Sequence, residues 1–240
     1  MKTTTLLCFS LLCFSAYSQE KSIPIGSQSY IAVSVGSSIP LLDFKSTDGN
    51  NAYAGFAKTG KKYDILWGKD LKNSQWGITS LFRLHTNAID EGALESVAKA
   101  AKPSYDYTIS SKDWKLYTLM GGAYYRIKIS QKMTLMPKAM LGLANIYSPE
   151  TKVVANTSSS NVANSYTESS NAVTPSWLFS IGFKSKLYKR ILLVSNFDLL
   201  GAFPTFTDVK TTYGNGSSLI RTKSPSFQTF NYGIGIGYNF

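Results

Sequence analysis

The chain has 240 residues, with 25 Lys and Arg against 14 Asp and Glu for a formal charge of +11; 43% of residues are hydrophobic, 13% aromatic and only 16% charged. It holds one histidine, His85, and two cysteines, both in an N-terminal segment expected to be removed, which argues against a Cys/His zinc site and a disulfide framework. Few charges with many aromatics fit a surface that meets lipid, and for an exported chain a basic excess points to anionic lipid or lipopolysaccharide rather than nucleic acid.

The chain opens with a charged head and an apolar run, Leu6 to Phe14, far shorter than the ~18 residues that span a bilayer as a helix. Ala16-Tyr17-Ser18 then offers a small-x-small cleavage pattern, so residues 1–18 read as a signal peptide and 19–28 as a short periplasmic segment. A lipoprotein signal on Cys8 or Cys13 is the competing reading, but leucine precedes both where a small residue is expected.

Eight strands follow by period-two alternation. They fall near 29–42, 61–69, 75–86, 113–128, 132–147, 174–187, 190–206 and 226–240. Their apolar faces carry, for example, Ile31, Val33 and Val35 in the first, and Tyr232, Ile234 and Ile236 in the last. The connections alternate: long at 43–60, 87–112, 148–173 and 207–225, short near Asp70–Ser74, Ser130–Lys132 and Lys189. Long external loops and short periplasmic turns are the asymmetry of an outer-membrane barrel. The predicted fold class is therefore all-β: an eight-stranded antiparallel up-and-down transmembrane β-barrel over residues 29–240. A soluble eight-stranded barrel would need a polar outer face.

Four tryptophans, Trp67, Trp76, Trp114 and Trp177, fall at strand ends, as expected of interface aromatics. By parity Asp64, Arg83, Arg126, Lys138, Lys184 and Asp198 point inward. An eight-stranded lumen is just wide enough for side chains to fill, and its charges must pair. That predicts a salt-bridged plug, with a narrow anion-tolerant pore as the alternative. In the last strand the inward face is Gly233, Gly235 and Gly237, expected to make room for Arg83 or Arg126 from other strands.

In the second long loop Asp90 is placed to cap a helix that Pro103 stops, with Leu94, Val97, Ala98 and Ala101 on one face. It reads as a lid packed over the barrel mouth or as a docking face for a protein partner on residues 87–112. The third loop, rich in Ser and Asn over 156–171, reads as a mobile surface loop without encoded chemistry. His85 reads as a surface residue at the rim; no His-x-Ser motif accompanies it, and no enzyme is expected. Lys69, Lys72, Lys128, Lys132, Lys186, Lys189 and Arg190 border the short turns and read as snorkelling interface cations. Lys58, Lys61, Lys62 and Lys112 read as external lysines placed to meet lipopolysaccharide phosphates. No cofactor or metal motif is present.

Taken together, residues 29–240 resemble the small outer-membrane barrels, OmpA/OmpX/OmpW-like or PorT-like. The resemblance is architectural except at the end of the chain. There Gly235, Tyr238 and Phe240 match the terminal signal that these families present to the barrel assembly machinery, while Gly233 occupies its polar slot. The resemblance implies that machinery as a partner. The expected role is a non-enzymatic integral outer-membrane protein acting structurally or through its surface loops. A narrow OmpW-type channel for small or hydrophobic molecules is the alternative, and lipid A modification a more distant one.

Overall fold

The computed structural model describes residues 28–156 and 163–240. The expected signal peptide therefore lies outside the described residues. The alternating segments become strands β1 (Ser29–Pro40), β2 (Gly60–Asp70), β3 (Trp76–Asn87), β5 (Trp114–Tyr125), β7 (Met133–Tyr147), β10 (Asn171–Tyr188), β11 (Ile191–Ala202) and β14 (Phe227–Asn239). A two-residue strand, β6 (Ile127–Lys128), continues the line of β5 beyond Arg126. Each of the eight pairs antiparallel with its neighbours in chain order. Pairing of β14 with β1, in register from Tyr30 opposite Asn239 to Pro40 opposite Thr229, closes the barrel.

Closure follows from what each face must do. Inward residues are buried; outward ones are apolar and bare, with Leu119 66%, Leu141 72% and Ile236 61% exposed. A contiguous apolar belt of this kind is unsuited to water and suited to hydrocarbon. A closed sheet also leaves no unpaired backbone edge, which a bilayer would not tolerate.

The long connections are more structured than the sequence pattern suggests. After β1 the chain turns into a short helix, α1 (Leu42–Lys45), and Phe44 is fully buried. The second connection forms α2 (Glu91–Ala101) and β4 (Asp106–Ser111). The third forms β8 (Thr151–Asn156) and β9 (Ala163–Thr167), and the fourth β12 (Phe206–Tyr213) and β13 (Ser218–Lys223). These strands join into a second sheet in the order β13-β12-β9-β8-β4. The third loop is thus paired sheet on both sides of the undescribed residues 157–162, not the free loop expected from its Ser and Asn content. Its alternating Lys152, Val154 and Tyr166 pair across to neighbours, and Thr167 and Thr211 meet through their hydroxyls at 2.9 Å.

Helix α2 begins as predicted, with the Asp90 carboxylate accepting from the Ala93 amide at 3.2 Å. Its carboxylates also finish one edge of the second sheet: Glu95 accepts from the Ile109 amide (3.1 Å) and Glu91 from the Ser111 amide (2.6 Å). Both amides belong to β4. The opposite edge, β13, is exposed along its whole length and carries Arg221 and Lys223, charges that discourage further strand addition. On the same surface Lys112 donates to Glu150 at 2.6 Å, and this bond holds the Glu150 carboxyl below its usual range. Being exposed, the pair adds little stability.

The glycine row of β14 marks a close approach of strands. A Cβ on Gly235 would lie 2.0 Å from the Val33 carbonyl oxygen and 2.5 Å from Ser34 Cβ, whereas one on Gly121 would meet nothing within 4 Å. Gly235→Ala is therefore expected to reduce the yield of closed barrel, and Gly121→Ala to leave it unchanged. Comparing the fast-migrating unboiled band of each variant on a gel checks this.

Candidate functional site

The inward face of β2, read from the long-loop end to the short-turn end, is Lys62, Asp64, Leu66, Gly68, Asp70. That single strand already states the layering of the lumen: charge, apolar packing, charge.

In the upper charged layer four buried side chains form a balanced network. Arg83 donates through Nε to Asp64 Oδ1 (2.6 Å) and through Nη2 to Asp64 Oδ2 (2.9 Å) and Asp198 Oδ2 (2.5 Å). Lys62 Nζ reaches Asp64 Oδ2 at 3.0 Å and Asp198 Oδ2 at 2.9 Å. Two cations and two carboxylates thus tie β2, β3 and β11 together across the lumen. Lys138, on β7, donates to Asn196 Oδ1 at 2.6 Å. A side chain on Gly182 would lie 2.8 Å from both of those atoms, so glycine there is what lets Lys138 lie across the interior.

Below lies an apolar layer that includes Leu66, Leu81, Met120, Met140 and Leu178, all buried. At the short-turn end Arg126 Nη1 meets Asp70 Oδ2 at 2.6 Å and its Nη2 donates to the Ser74 carbonyl. Tyr124 donates to Asp70 Oδ1 at 2.5 Å and packs edge-on against Tyr30. Lys184 places its ammonium 4.6 Å from the Tyr30 ring centroid, a cation–π contact.

The long-loop end is closed by aromatics. Phe44 from α1 packs on Phe227 (4.1 Å between centroids) and Trp114 (5.7 Å), and Trp114 packs on Phe206 (6.1 Å). Trp114 also donates to the Gly55 carbonyl at 3.0 Å. Gly55 itself lies under Phe44, where a Cβ would be 2.5 Å from the ring. Between this plug and the ion network sits a neutral cluster of Ser38, His85 and Asn87, all fully buried. Asn87 Nδ2 donates to the carbonyls of Ser38 (3.2 Å) and Lys58 (2.7 Å), which fixes Oδ1 as the acceptor facing His85 Nε2 at 2.6 Å. On that assignment Nε2 carries a hydrogen and cannot serve as a base toward Ser38.

The six predicted lumen residues all lie on the inner side, but the network differs in membership. Lys62, expected outside as a lysine for lipopolysaccharide, is fully buried; it shares the parity of Asp64, two residues away. Asp70, expected in a turn, is the last inward residue of β2 and the partner of Arg126. At Gly233 the side chain that lies nearest is Lys62, rather than the expected Arg83 or Arg126, its Cε 2.8 Å from where a Cβ would stand; Gly235 and Gly237 instead face the backbone and small side chains of β1. His85, expected at the surface, is inward for the same reason as Arg83: they share parity on β3. Trp114, expected in the interface girdle, is only 6% exposed because it falls on the even, inward positions of β5. Trp76 is 53% exposed, and Trp67 and Trp177 lie half-buried on outward positions. Of the terminal signal residues, Gly235 faces inward, while Tyr238 and Phe240 are exposed at the short-turn end.

The remaining free space beside Asp64, Arg83, Lys138 and Asp198 is about 10 Å³, room for about one water molecule. Removing one partner of the network leaves a buried unpaired charge, at a cost of about 3–5 kcal/mol. Arg83→Met is thus expected to lower the denaturant midpoint markedly, and Arg83→Met combined with Asp64→Asn to recover part of the loss. Urea titration of the refolded protein followed by tryptophan fluorescence measures both.

Family models and curated proteins give no match to the chain. Solved structures do. A major outer membrane protein from Thermus thermophilus is similar with a TM-score of 0.50 and 12% identity, over 89% of this chain and 99% of that one. Ail, the attachment invasion locus protein of Yersinia pestis, aligns with a TM-score of 0.42 and 14% identity over 89% and 97%. Neisserial surface protein A aligns with a TM-score of 0.37 and 11% identity over 91% and 100%. At such identities the likeness concerns the fold. With the closed sheet and its apolar outer belt, it makes this chain a small eight-stranded barrel of the outer-membrane type.

Proposed function

We propose that this is a non-enzymatic integral outer-membrane protein in which a closed, non-conducting barrel anchors a folded platform, with a structural or surface-interaction role. The observation that carries the reading is the filled lumen: an ion network, an apolar layer and an aromatic plug in series, with space for about one water between charged groups. Such an interior favours a scaffold over the narrow-channel alternative.

Residues 1–18 would direct export and be removed. Gly235, Tyr238 and Phe240 would present the insertion signal to the barrel assembly machinery. The long-loop end would face outward, where Lys58, Lys61 and Lys112 are exposed; Lys61 would be the first to meet lipopolysaccharide phosphates, since Lys58 and Lys112 are paired with Asp90 and Glu150. A protein partner on the segment 87–112 would meet the solvent side of α2, because Leu94 packs toward the core. The burial of His85 and Ser38, and the hydrogen held on Nε2, weigh against a hydrolase that modifies lipid A.

Planar-bilayer recording of the refolded protein tests this reading. The wild type is expected to give no stable single-channel steps, and reproducible steps would refute the closed scaffold. Phe44→Ala removes the centre of the plug at about 3–5 kcal/mol. It is expected to lower stability while leaving the bilayer silent, because the ion network below still blocks the lumen.

A further inference from the structure

The positive charge of the chain is unevenly placed. At the long-loop end both signs are present, and Lys58–Asp90, Lys99–Asp106, Lys112–Glu150 and Lys210–Glu168 pair across 3.5, 3.1, 2.6 and 3.4 Å. At the short-turn end, among the described residues, the exposed charged side chains are all positive. Lys69 and Lys72 flank the turn between β2 and β3, Lys128 and Lys132 that between β5 and β7, and Lys186, Lys189 and Arg190 that between β10 and β11. The carboxylate nearest to them in the chain, Asp70, is buried against Arg126 and Tyr124. Every other Asp and Glu among the described residues lies in the lumen network or on the long-loop side. Three turns spaced around the barrel therefore make a basic collar with no exposed acidic side chain among the described residues.

The collar sits at the border of the apolar belt. Lys189 Nζ lies 5.2 Å from the Tyr188 ring centroid, and Arg190 Nη1 donates to the Tyr238 hydroxyl at 3.2 Å. Trp76, Leu187, Tyr188, Tyr238 and Phe240 are all more than two-fifths exposed beside it. Cations held at the level of exposed aromatics lie where lipid phosphates lie, which sets them apart from cations on a turn that projects into solvent.

We propose that the short-turn end is a binding collar for anionic phospholipid headgroups of the leaflet it meets, selecting them over zwitterionic ones. This rests on the membrane-spanning reading above. Each lysine or arginine near an anionic leaflet contributes roughly fivefold to association, so seven around one ring are ample for selection.

The test is native mass spectrometry of the full protein released from nanodiscs of equimolar phosphatidylglycerol and phosphatidylcholine. Wild type is expected to retain phosphatidylglycerol several-fold above its bulk share, and to lose this enrichment as ionic strength rises. A quadruple variant, Lys128→Gln, Lys132→Gln, Lys186→Gln and Lys189→Gln, is expected to lose most of this enrichment, Lys69, Lys72 and Arg190 holding the rest. A control with Lys45→Gln, Lys61→Gln, Lys102→Gln and Lys152→Gln at the other end is expected to keep the enrichment. Bulk ratio in the wild type, undiminished enrichment in the collar variant, or equal loss in the control would each overturn the collar. A chain that never enters nanodiscs and migrates alike boiled and unboiled would instead refute the membrane reading. The salt series on wild type decides the matter should the quadruple variant not fold.

Discussion

The bidentate grip of Arg83 on Asp64, shared with Asp198 and Lys62, is the contact on which the interior depends. An eight-stranded barrel has an interior that side chains must fill, and a charge placed there is costly unless it is paired or hydrogen-bonded. The balanced quartet permits polar residues in the interior of a wall whose other face is hydrocarbon-like. It also dictates its surroundings. Gly233 is small because Lys62 lies over it, and Gly182 because Lys138 does. The uncharged cluster of Ser38, His85 and Asn87 sits directly above the network and is fully buried.

The aromatic plug and the second sheet extend this logic beyond the barrel wall. Phe44 reaches the mouth because α1 follows β1 at once, and Leu42 adopts φ 48°, a left-handed backbone that turns the chain inward. Its burial against Phe227 and Trp114 anchors the first connection, while the fourth contributes Phe206 to the same cluster. The first and fourth loops are thereby held from below, and the second sheet binds the second, third and fourth to one another. Structure of this sort at the rim, finished on one edge by Glu91 and Glu95, is a rigid surface rather than a fringe of independent loops.

Strand count, order, direction and the inward or outward sense of most side chains were legible in the sequence because period-two alternation is a direct imprint of a wall with two different solvents. Lys62, His85 and Trp114 obeyed the same alternation; the readings that placed them outside relied on residue type and position near a strand end. Charged and aromatic residues are common at rims, and that expectation outweighed parity where parity was right. Asp70 was hidden by a boundary one residue short. The second sheet was less visible. Its strands are short, polar and paired between different connections, so no local signal names the partner, and Ser- and Asn-rich composition resembles that of a free loop. The glycine row was legible as space, but which side chain fills it depends on the stagger between strands, which one sequence does not state.

The ladder between β1 and β14 has a kinetic side. All other barrel ladders join successive strands of the barrel, but this one joins its first and last and brings Tyr30 opposite Asn239. It is the contact of greatest sequence separation, so its loop-closure entropy is recovered only after the intervening strands are ordered. Gly233 and Gly235 lie on that seam, where bare backbone lets β1 approach without rearranging side chains. The step that seals the wall is thus the slowest by topology, and a bulky group on the seam would obstruct the closing step and strain the finished barrel alike.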